Sequence, residues 1–463
     1  MAAKPLAVTV LAAGEGRRFH SSTPKVLHRA AGLPLLHHVL RTVHALAGVD
    51  RTIVVAGAEK GQVVDGVRAT WPEVVFVDQA APLGTAHALA QCEGVLQDFD
   101  GDLLVIPADT PLLRGETLQR LLDEHRRINA DVTLLTACLD DPTGYGRVLR
   151  GFADGRFRVV EEADAGPDER AVREVSTGIW CFDKVALFRA LERVGMDNAQ
   201  GEYYLPDGAW VISEQGGRTH TVMAADPTEV RGVNDRAQLA EAARELRARH
   251  LGQLMASGVT IEDPVTTYID DGVEIGADTT IRPLTFLEGS TKIGRGATIG
   301  PAARIVDSTV EDGAEVSFAV VLGSAIGAGS KVGPFASLRP GTRLGAGAKI
   351  GTFVEAKGST IGEGSKVPHL SYVGDAEIGA GVNVGAGTIT CNYDGETGKK
   401  SKTVIEDGVL IGSDTMLIAP VRLGKDAVTG AGSLVNKDIG PGEVAVGVPA
   451  RSVRKRKPRP ARE

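Results

Sequence analysis

Between residues 269 and 305 an aliphatic residue stands at every sixth position: Ile269, Ile275, Ile281, Leu287, Ile293, Ile299 and Ile305. The series slips in phase and resumes at Ile326, Val332, Leu338, Leu344 and Ile350, then at Ile361, Val367 and Val373, then at Ile378 and Val384. It closes at Ile405, Ile411, Leu417 and Leu423. A period of six matches neither a helix nor the alternation of an ordinary strand. It matches a parallel β-helix, in which each hexad supplies one flat face and one turn. The aliphatic residue then points inward and stacks on its equivalent in the next coil. Glycine often follows it, as at Gly276, Gly294 and Gly412, where a turn would strain a side chain. A glycine-rich coil of low complexity would not hold seven positions in unbroken register. The two slips, near 307–325 and 386–404, are expected to be loops that leave the prism.

The rest of the chain has a different grammar. Of 58 glycines, 33 fall in the last 205 residues, whereas all three tryptophans precede residue 211. Before the repeats, strand-like runs (Ala7–Leu11, Thr52–Ala56, Val74–Val77, Leu103–Pro107, Val132–Thr136) alternate with helix-like segments such as Leu35–Leu46 and Thr85–Leu96. That alternation implies a mostly parallel, doubly wound α/β sheet. A stripe of Leu239, Ala243, Leu246, Leu251 and Leu254 behind a capping residue, Asp235, reads as a connecting helix. The expected organisation is an α/β domain over 1–234, a connecting helix over 235–257, a β-helix over 258–450 and a basic tail over 451–463. Seven of the tail's thirteen residues are Arg or Lys, and it is expected to be solvated and disordered.

A formal charge of -8 argues against a nucleic-acid surface. The four cysteines, Cys92, Cys138, Cys181 and Cys391, form no CxxC pair and read as reduced thiols. The N-terminus lacks the layout of a signal peptide, and no apolar run approaches the roughly 20 residues of a bilayer span. The expectation is a cytoplasmic protein without membrane insertion.

The first strand runs into Leu11-Ala-Ala-Gly-Glu-Gly-Arg-Arg-Phe19. Gly14 and Gly16 begin a dinucleotide fingerprint, but Phe19 stands where its third glycine belongs. At the carboxyl end of a strand such a loop can point backbone amides at phosphate. Arg17, Arg18 and Lys25, the last in Thr23-Pro24-Lys25-Val26-Leu27, add three cations within nine residues. These suit a triphosphate whose pyrophosphate must leave. In the repeats, His369 is the one histidine of the last 213 residues. Around it in sequence are polar side chains that a structural coil does not need: Arg339, Glu355, Lys357, Tyr372, Asn383, Asn392 and Tyr393.

"LAAGEGRRF" joined to "TPKVL" resembles the sugar-1-phosphate nucleotidylyltransferases. The resemblance implies a UTP and UDP-sugar site made by Leu11, Ala12, Ala13, Gly14 and Lys25, by Gln79, Gly84 and Thr85 reading uracil, and by Gly144, Glu161, Ser176 and Asn234. Arg18 and Lys25 would be catalytic, and Arg17 solvated. Asp109 and Asn234 would hold Mg²⁺, a hard ion suited to a carboxylate, an amide oxygen and phosphate oxygens. Glu161 and Glu162 are adjacent, and the sequence does not choose between them. Ser176 stands where the family usually has Asn, which bears on sugar selectivity.

The repeats resemble the left-handed β-helix of the hexapeptide-repeat acyltransferases, and that resemblance supplies the handedness. Both motif sets, in this order, resemble the bifunctional family that couples glucosamine-1-phosphate N-acetyltransferase to N-acetylglucosamine-1-phosphate uridylyltransferase. This implies acetyl transfer from acetyl-CoA with His369 as general base, since imidazole exchanges protons near neutral pH, and Glu355 orienting it. Arg339 and Lys357 would bind the sugar phosphate, and Tyr372 and Asn383 the sugar. Ala386, Asn392, Tyr393, Ser413, Ala431 and Arg451 would meet acetyl-CoA. A homotrimer built through the β-helix is also implied. Two alternatives are a nucleotidylyltransferase with a regulatory β-helix and a non-enzymatic, exchange-factor-like scaffold. His369 with Asn392-Tyr393 speaks against the first, and Lys25, Asp109 and Asn234 speak against the second.

Overall fold

The computed structural model describes residues 4–14, 16–58, 60–151 and 156–456. The chain divides into two compact units, Met1–Leu246 and Arg247–Glu463, a division that falls inside the helix Arg236–Ala256.

The first unit is built on seven strands in the order Thr219–Met223, Val132–Cys138, Glu174–Asp183, Asp102–Pro107, Leu6–Ala12, Val49–Ala56, Val75–Asp78. All neighbours are parallel except Glu174–Asp183, which runs antiparallel to both of its partners. Because both faces are covered, the inner strands read as continuous apolar runs. Leu6, Val8, Val10 and Ala12 join one core cluster, with the helices Leu35–His44 and Gly115–Arg127. Ala7 joins the other, with Leu89, Leu187 and Leu205. The doubly wound reading thus holds, with one reversed strand. That strand loses register with Val132–Cys138 between Ser176 and Trp180, and the bulge presents Ser176-Thr177-Gly178 at the cavity described below. Asp235 caps the helix Arg236–Ala256 by accepting from Gln238 N at 2.8 Å, and Gln238 Oε1 accepts in return from Asn234 N at 2.7 Å. Leu239, Ala243 and Leu246 pack with Phe19, Leu35 and Leu112.

The second unit is a left-handed parallel β-helix of three sheets with 12, 10 and 9 strands. Successive coils stack in register: Ile269 pairs with Leu287, and Leu287 with Ile305. Leu251 and Leu254 of the helix Arg236–Ala256 close onto this stack. Each buried aliphatic contributes roughly 1.5–3 kcal/mol. Threonine and serine hydroxyls inside the corners bind turn carbonyls, as Ser330 does to Gly345 O at 2.8 Å and Thr342 to Arg339 O at 2.8 Å.

The two phase slips have different causes. Residues 307–325 do not leave the prism: Arg304 pairs with Val320 and Thr309 with Ala325, sixteen positions on. Steps of five residues, Ile305 to Val310 and Val316 to Val321, shorten the coil while the inward residues stay inward. The second slip contains a true excursion. Ala376 pairs with Thr403, twenty-seven positions on, and residues 392–402 leave the coil. The tail also differs from expectation. Arg451–Lys455 is a strand antiparallel to Glu443–Val446, and Arg456 Nη1 donates to Asp426 O at 2.9 Å and Gly408 O at 3.0 Å. The remainder of the tail, 457–463, lies outside the described residues, as does Glu15 in the glycine loop. Among the described residues no helix is long and apolar enough to cross a membrane.

Candidate active sites

In the first unit the carboxyl ends of Leu6–Ala12, Val75–Asp78 and Asp102–Pro107 open on a cavity of about 640 Å³. Leu11, Ala12, Ala13, Gly14, Lys25, Gln79, Gly84, Thr85, Asp109, Gly144, Glu161 and Ser176 all line it. Local structure explains several of these placements. Gly84 has φ +104, and a β-carbon there would lie 2.5 Å from Tyr203 O. Only glycine lets this segment pass so close. Gln79 is buried, with its amide donating to Gly84 O at 3.0 Å. Thr85 Oγ1 accepts from Leu205 N at 3.0 Å.

Lys25 Nζ donates to Asp109 Oδ2 and, at 3.3 Å, to Asn234 Oδ1. Asn234 is therefore joined to Lys25 and Asp109 without being part of the cavity wall itself. The main chain fixes this pair of oxygens, since Val233 N donates to Asp109 O at 2.9 Å. Among the described residues no three His, Cys, Asp or Glu side chains form a ready cage for a metal. One carboxylate and one amide are nonetheless the donors of a hard ion that keeps waters and takes phosphate oxygens. The residues present fit Mg²⁺. The wall takes Arg17, not Arg18, although both are exposed.

The pair of adjacent glutamates is resolved. Glu162 is paired with Arg147 Nη1 at 2.7 Å, and Glu161 faces the cavity. Burial raises the Glu161 carboxyl to about 7, helped by Asp207, Asp164 and Glu202. Sequence reasoning missed Tyr145, another wall residue, whose hydroxyl accepts from Gly232 N at 3.3 Å. Its place between Gly144 and Gly146 was the available signal.

In the second unit stacking collects residues that are far apart in sequence. Asp414 N donates to Ala386 O at 2.7 Å and Gly432 N to Ser413 O at 2.8 Å. Ala386, Ser413 and Ala431 thereby form a column down one corner. His369 ends the strand Lys366–His369, opposite Thr352, and is exposed. Asn383 is the register partner of Lys366 on the next coil. Glu355 pairs with Tyr372 in register, but its carboxylate is held by Arg339 at 2.9 Å, with no hydrogen bond to His369 among the described residues. Tyr372 lies over Gly374, where a β-carbon would come 2.5 Å from its hydroxyl. Asn392 is buried and donates to Asp375 Oδ2 at 2.6 Å, while Tyr393 is exposed and bridges to Lys400. Arg451 is exposed at the head of the terminal strand. Lys400 was not singled out by the sequence. Its ammonium beside Lys357, with a smaller contribution from Arg339, pushes the Lys357 ammonium below the ordinary lysine value.

A strand-end nucleotide cavity in one unit and a hexapeptide prism in the other are the two halves of a bifunctional transferase, one half for nucleotidyl transfer and one for acyl transfer. Residues 8–176 match the family model of a MobA-like NTP transferase domain. Proteins called bifunctional protein GlmU are similar over nearly the whole chain. That of Brevibacillus brevis is 46% identical over 438 residues, 94% of either chain. That of Pelotomaculum thermopropionicum is 50% identical over 90% of both, and that of Thermobifida fusca 47% identical over 96% of this chain and 92% of its own. The chain belongs to the GlmU family.

Proposed function

We propose that the chain makes UDP-N-acetylglucosamine in two steps, acetylating glucosamine 1-phosphate from acetyl-CoA on the prism and uridylylating the product from UTP in the α/β unit. The observation that carries the reading is the convergence on Lys25 of Asp109 and Asn234, 84 and 209 residues away in sequence, with Lys25 and Asp109 lining one cavity with the glycine loop. A regulatory scaffold has no use for that set. In the second step a sugar-phosphate oxygen attacks the α-phosphorus of UTP and the bond to pyrophosphate breaks. No general base is required, because the attacking phosphate is already ionised. Asp109 and Asn234 would hold Mg²⁺, which neutralises charge on the phosphates. Loop amides with Lys25, and with the exposed Arg17 and Arg18 that follow them, position the triphosphate. In the first step His369 takes a proton from the sugar amine as it attacks the thioester, and coenzyme A leaves. Arg339, Lys357 and Lys400 crowd positive charge that a sugar phosphate would relieve. The test is one incubation with glucosamine 1-phosphate, acetyl-CoA, UTP and Mg²⁺, repeated with each omitted. UDP-N-acetylglucosamine is expected only from the complete mixture. Its formation without acetyl-CoA would overturn the scheme.

Glu161 provides a pH signature. A carboxylate accepts hydrogen bonds from sugar hydroxyls, and its protonated form does so poorly. With titration at about 7, the ionised fraction rises from roughly a tenth at pH 6 to nine tenths at pH 8. The KM for N-acetylglucosamine 1-phosphate is expected to fall by up to about tenfold across that range. Glu161→Gln should flatten the difference, with the substrate's own titration cancelling in the comparison. Equal profiles for the two proteins would remove Glu161 from the sugar site.

The trimer reading gains support from an apolar ridge on the prism. Leu284, Phe318, Phe335, Phe353 and Leu370 all have positive φ and are 42–62% exposed. The Phe318 and Phe335 rings are tilted against each other at 5.6 Å, and those of Phe335 and Phe353 stack at 5.5 Å. Left-handed backbone costs a non-glycine residue about 1 kcal/mol or more, and contiguous exposed apolar surface marks interfaces. Leu370 follows His369 directly, so a second copy covering the ridge would border the acetyl-transfer site. Phe335→Asp with Phe353→Asp is expected to yield monomers by analytical ultracentrifugation and to lose acetyl transfer while keeping uridylyl transfer. A double variant of unchanged mass would discard the ridge as the interface.

A further inference from the structure

The Lys25 side chain has a fixed root and a movable end. Gly16, at φ +60, lies directly against it, and a β-carbon on Gly16 would come within 2.7 Å of Lys25 Cβ. Beyond the root runs a flexible four-carbon stem bearing a compact charge with three rotatable donors. The ammonium rests on Asp109 Oδ2 and Asn234 Oδ1, and both members of the Lys25–Asp109 pair are largely screened from solvent, at 11% and 19% exposure. Those two oxygens do not depend on the lysine for their position. Asp109 is tied through its main chain to Val233, and Asn234 through its main-chain N–H to Gln238. The glycine loop, Lys25 and Asp109 line the same cavity, so the stem can reach either the oxygen pair or the phosphate side without any change in the fold.

We propose that the Lys25 ammonium and the divalent cation compete for this one oxygen pair, so that loading the cation hands Lys25 to the nucleotide phosphates. The proposal rests on the reading of Asp109 and Asn234 as cation ligands. A divalent ion and an ammonium cannot both sit on the same carboxylate, because their repulsion at such range in a screened site exceeds what the ion pair gains. With the ammonium in place, the carboxylate is neutralised and the loop lacks one of its cations. With the divalent ion in place, the charge of the ion and that of Lys25 both face the triphosphate. The side chain thus couples cation binding to assembly of the phosphate site, and favours cation loading before or together with nucleotide.

Two measurements on the full chain without nucleotide test this. In Mn²⁺ titrations followed by electron paramagnetic resonance, Lys25→Met is expected to bind the ion roughly tenfold more tightly than the wild type, the factor that about 1.4 kcal/mol represents. Lys25→Gln, which retains the stem, should move in the same direction. In the wild type, reductive methylation read by mass spectrometry should modify Lys25 at least about threefold faster when Mg²⁺ is added. Lys60, paired with Asp78 at 2.7 Å, should keep its rate. Unchanged Mn²⁺ affinity in both lysine variants, or Lys25 methylation indifferent to Mg²⁺ that demonstrably binds, would overturn the exchange. Asp109→Asn separates the underlying reading: it should lose the Mn²⁺ signal, and wild-type binding by that variant would sink the ligand assignment itself.

Discussion

Replacing His369 with alanine is expected to lower acetyl transfer by about 10²- to 10⁴-fold in kcat, the usual contribution of a positioned general base, with uridylyl transfer unchanged. The prism offers no second imidazole, since His369 is the one histidine after His250. It is exposed at the end of its strand, on coils that also carry the cations Arg339 and Lys357. The two proposed sites lie in separate compact units, so each activity serves as the folding control of the other. Release of coenzyme A reports the first and release of pyrophosphate the second. A His369→Ala protein that releases coenzyme A at the wild-type rate would remove the histidine from the chemistry.

The complementary result is expected for Asp109→Ala: uridylyl transfer reduced by roughly 10³-fold, the few kcal/mol that a metal-held charge clamp supplies, and acetyl transfer intact. On the proposed reading Asp109 supplies the one carboxylate among the two oxygens that would hold the cation, while its pairing with the Lys25 ammonium is given up on loading in any case. Excess Mg²⁺ should therefore restore little of the rate, because Asn234 alone offers a single neutral oxygen. Full rescue at high Mg²⁺ would mean that Asp109 acts on affinity alone. The family's paired activities make both experiments possible in one tube.

Much of this was legible in the sequence because the relevant signals are local or periodic. The inward aliphatic series, the strand-end glycine loop and the helix cap at Asp235 each announce themselves within a few residues. What was not legible depended on pairing. The slip at 307–325 looks like a loop in sequence, yet dropping one residue from a hexad shortens a turn without moving the inward side chain. Glu161 and Glu162 are chemically identical neighbours, and only the position of Arg147 separates them. Glu355 was expected to orient His369, but its carboxylate is held by Arg339 from the neighbouring coil. The phenylalanines of the ridge, Phe318, Phe335 and Phe353, lie outside the six-residue aliphatic series. Their spacing of seventeen and eighteen residues carries meaning only once the coil length is known.

The short strand at the end of the chain has a consequence for how the protein behaves in a crowded solution. A stack of parallel strands ends on a row of unsatisfied amides and carbonyls, and such an edge invites another stack to continue it. Here the chain reverses direction, so Arg451–Lys455 occupies the last edge as an antiparallel partner of Glu443–Val446. Its outer side is cationic, with Arg451, Arg454 and Lys455 all exposed. A second prism approaching end to end would meet opposed strand polarity and like charge. The strand Arg451–Lys455 therefore covers one of the three sheet edges at this end of the prism and opposes continuation of the stack there.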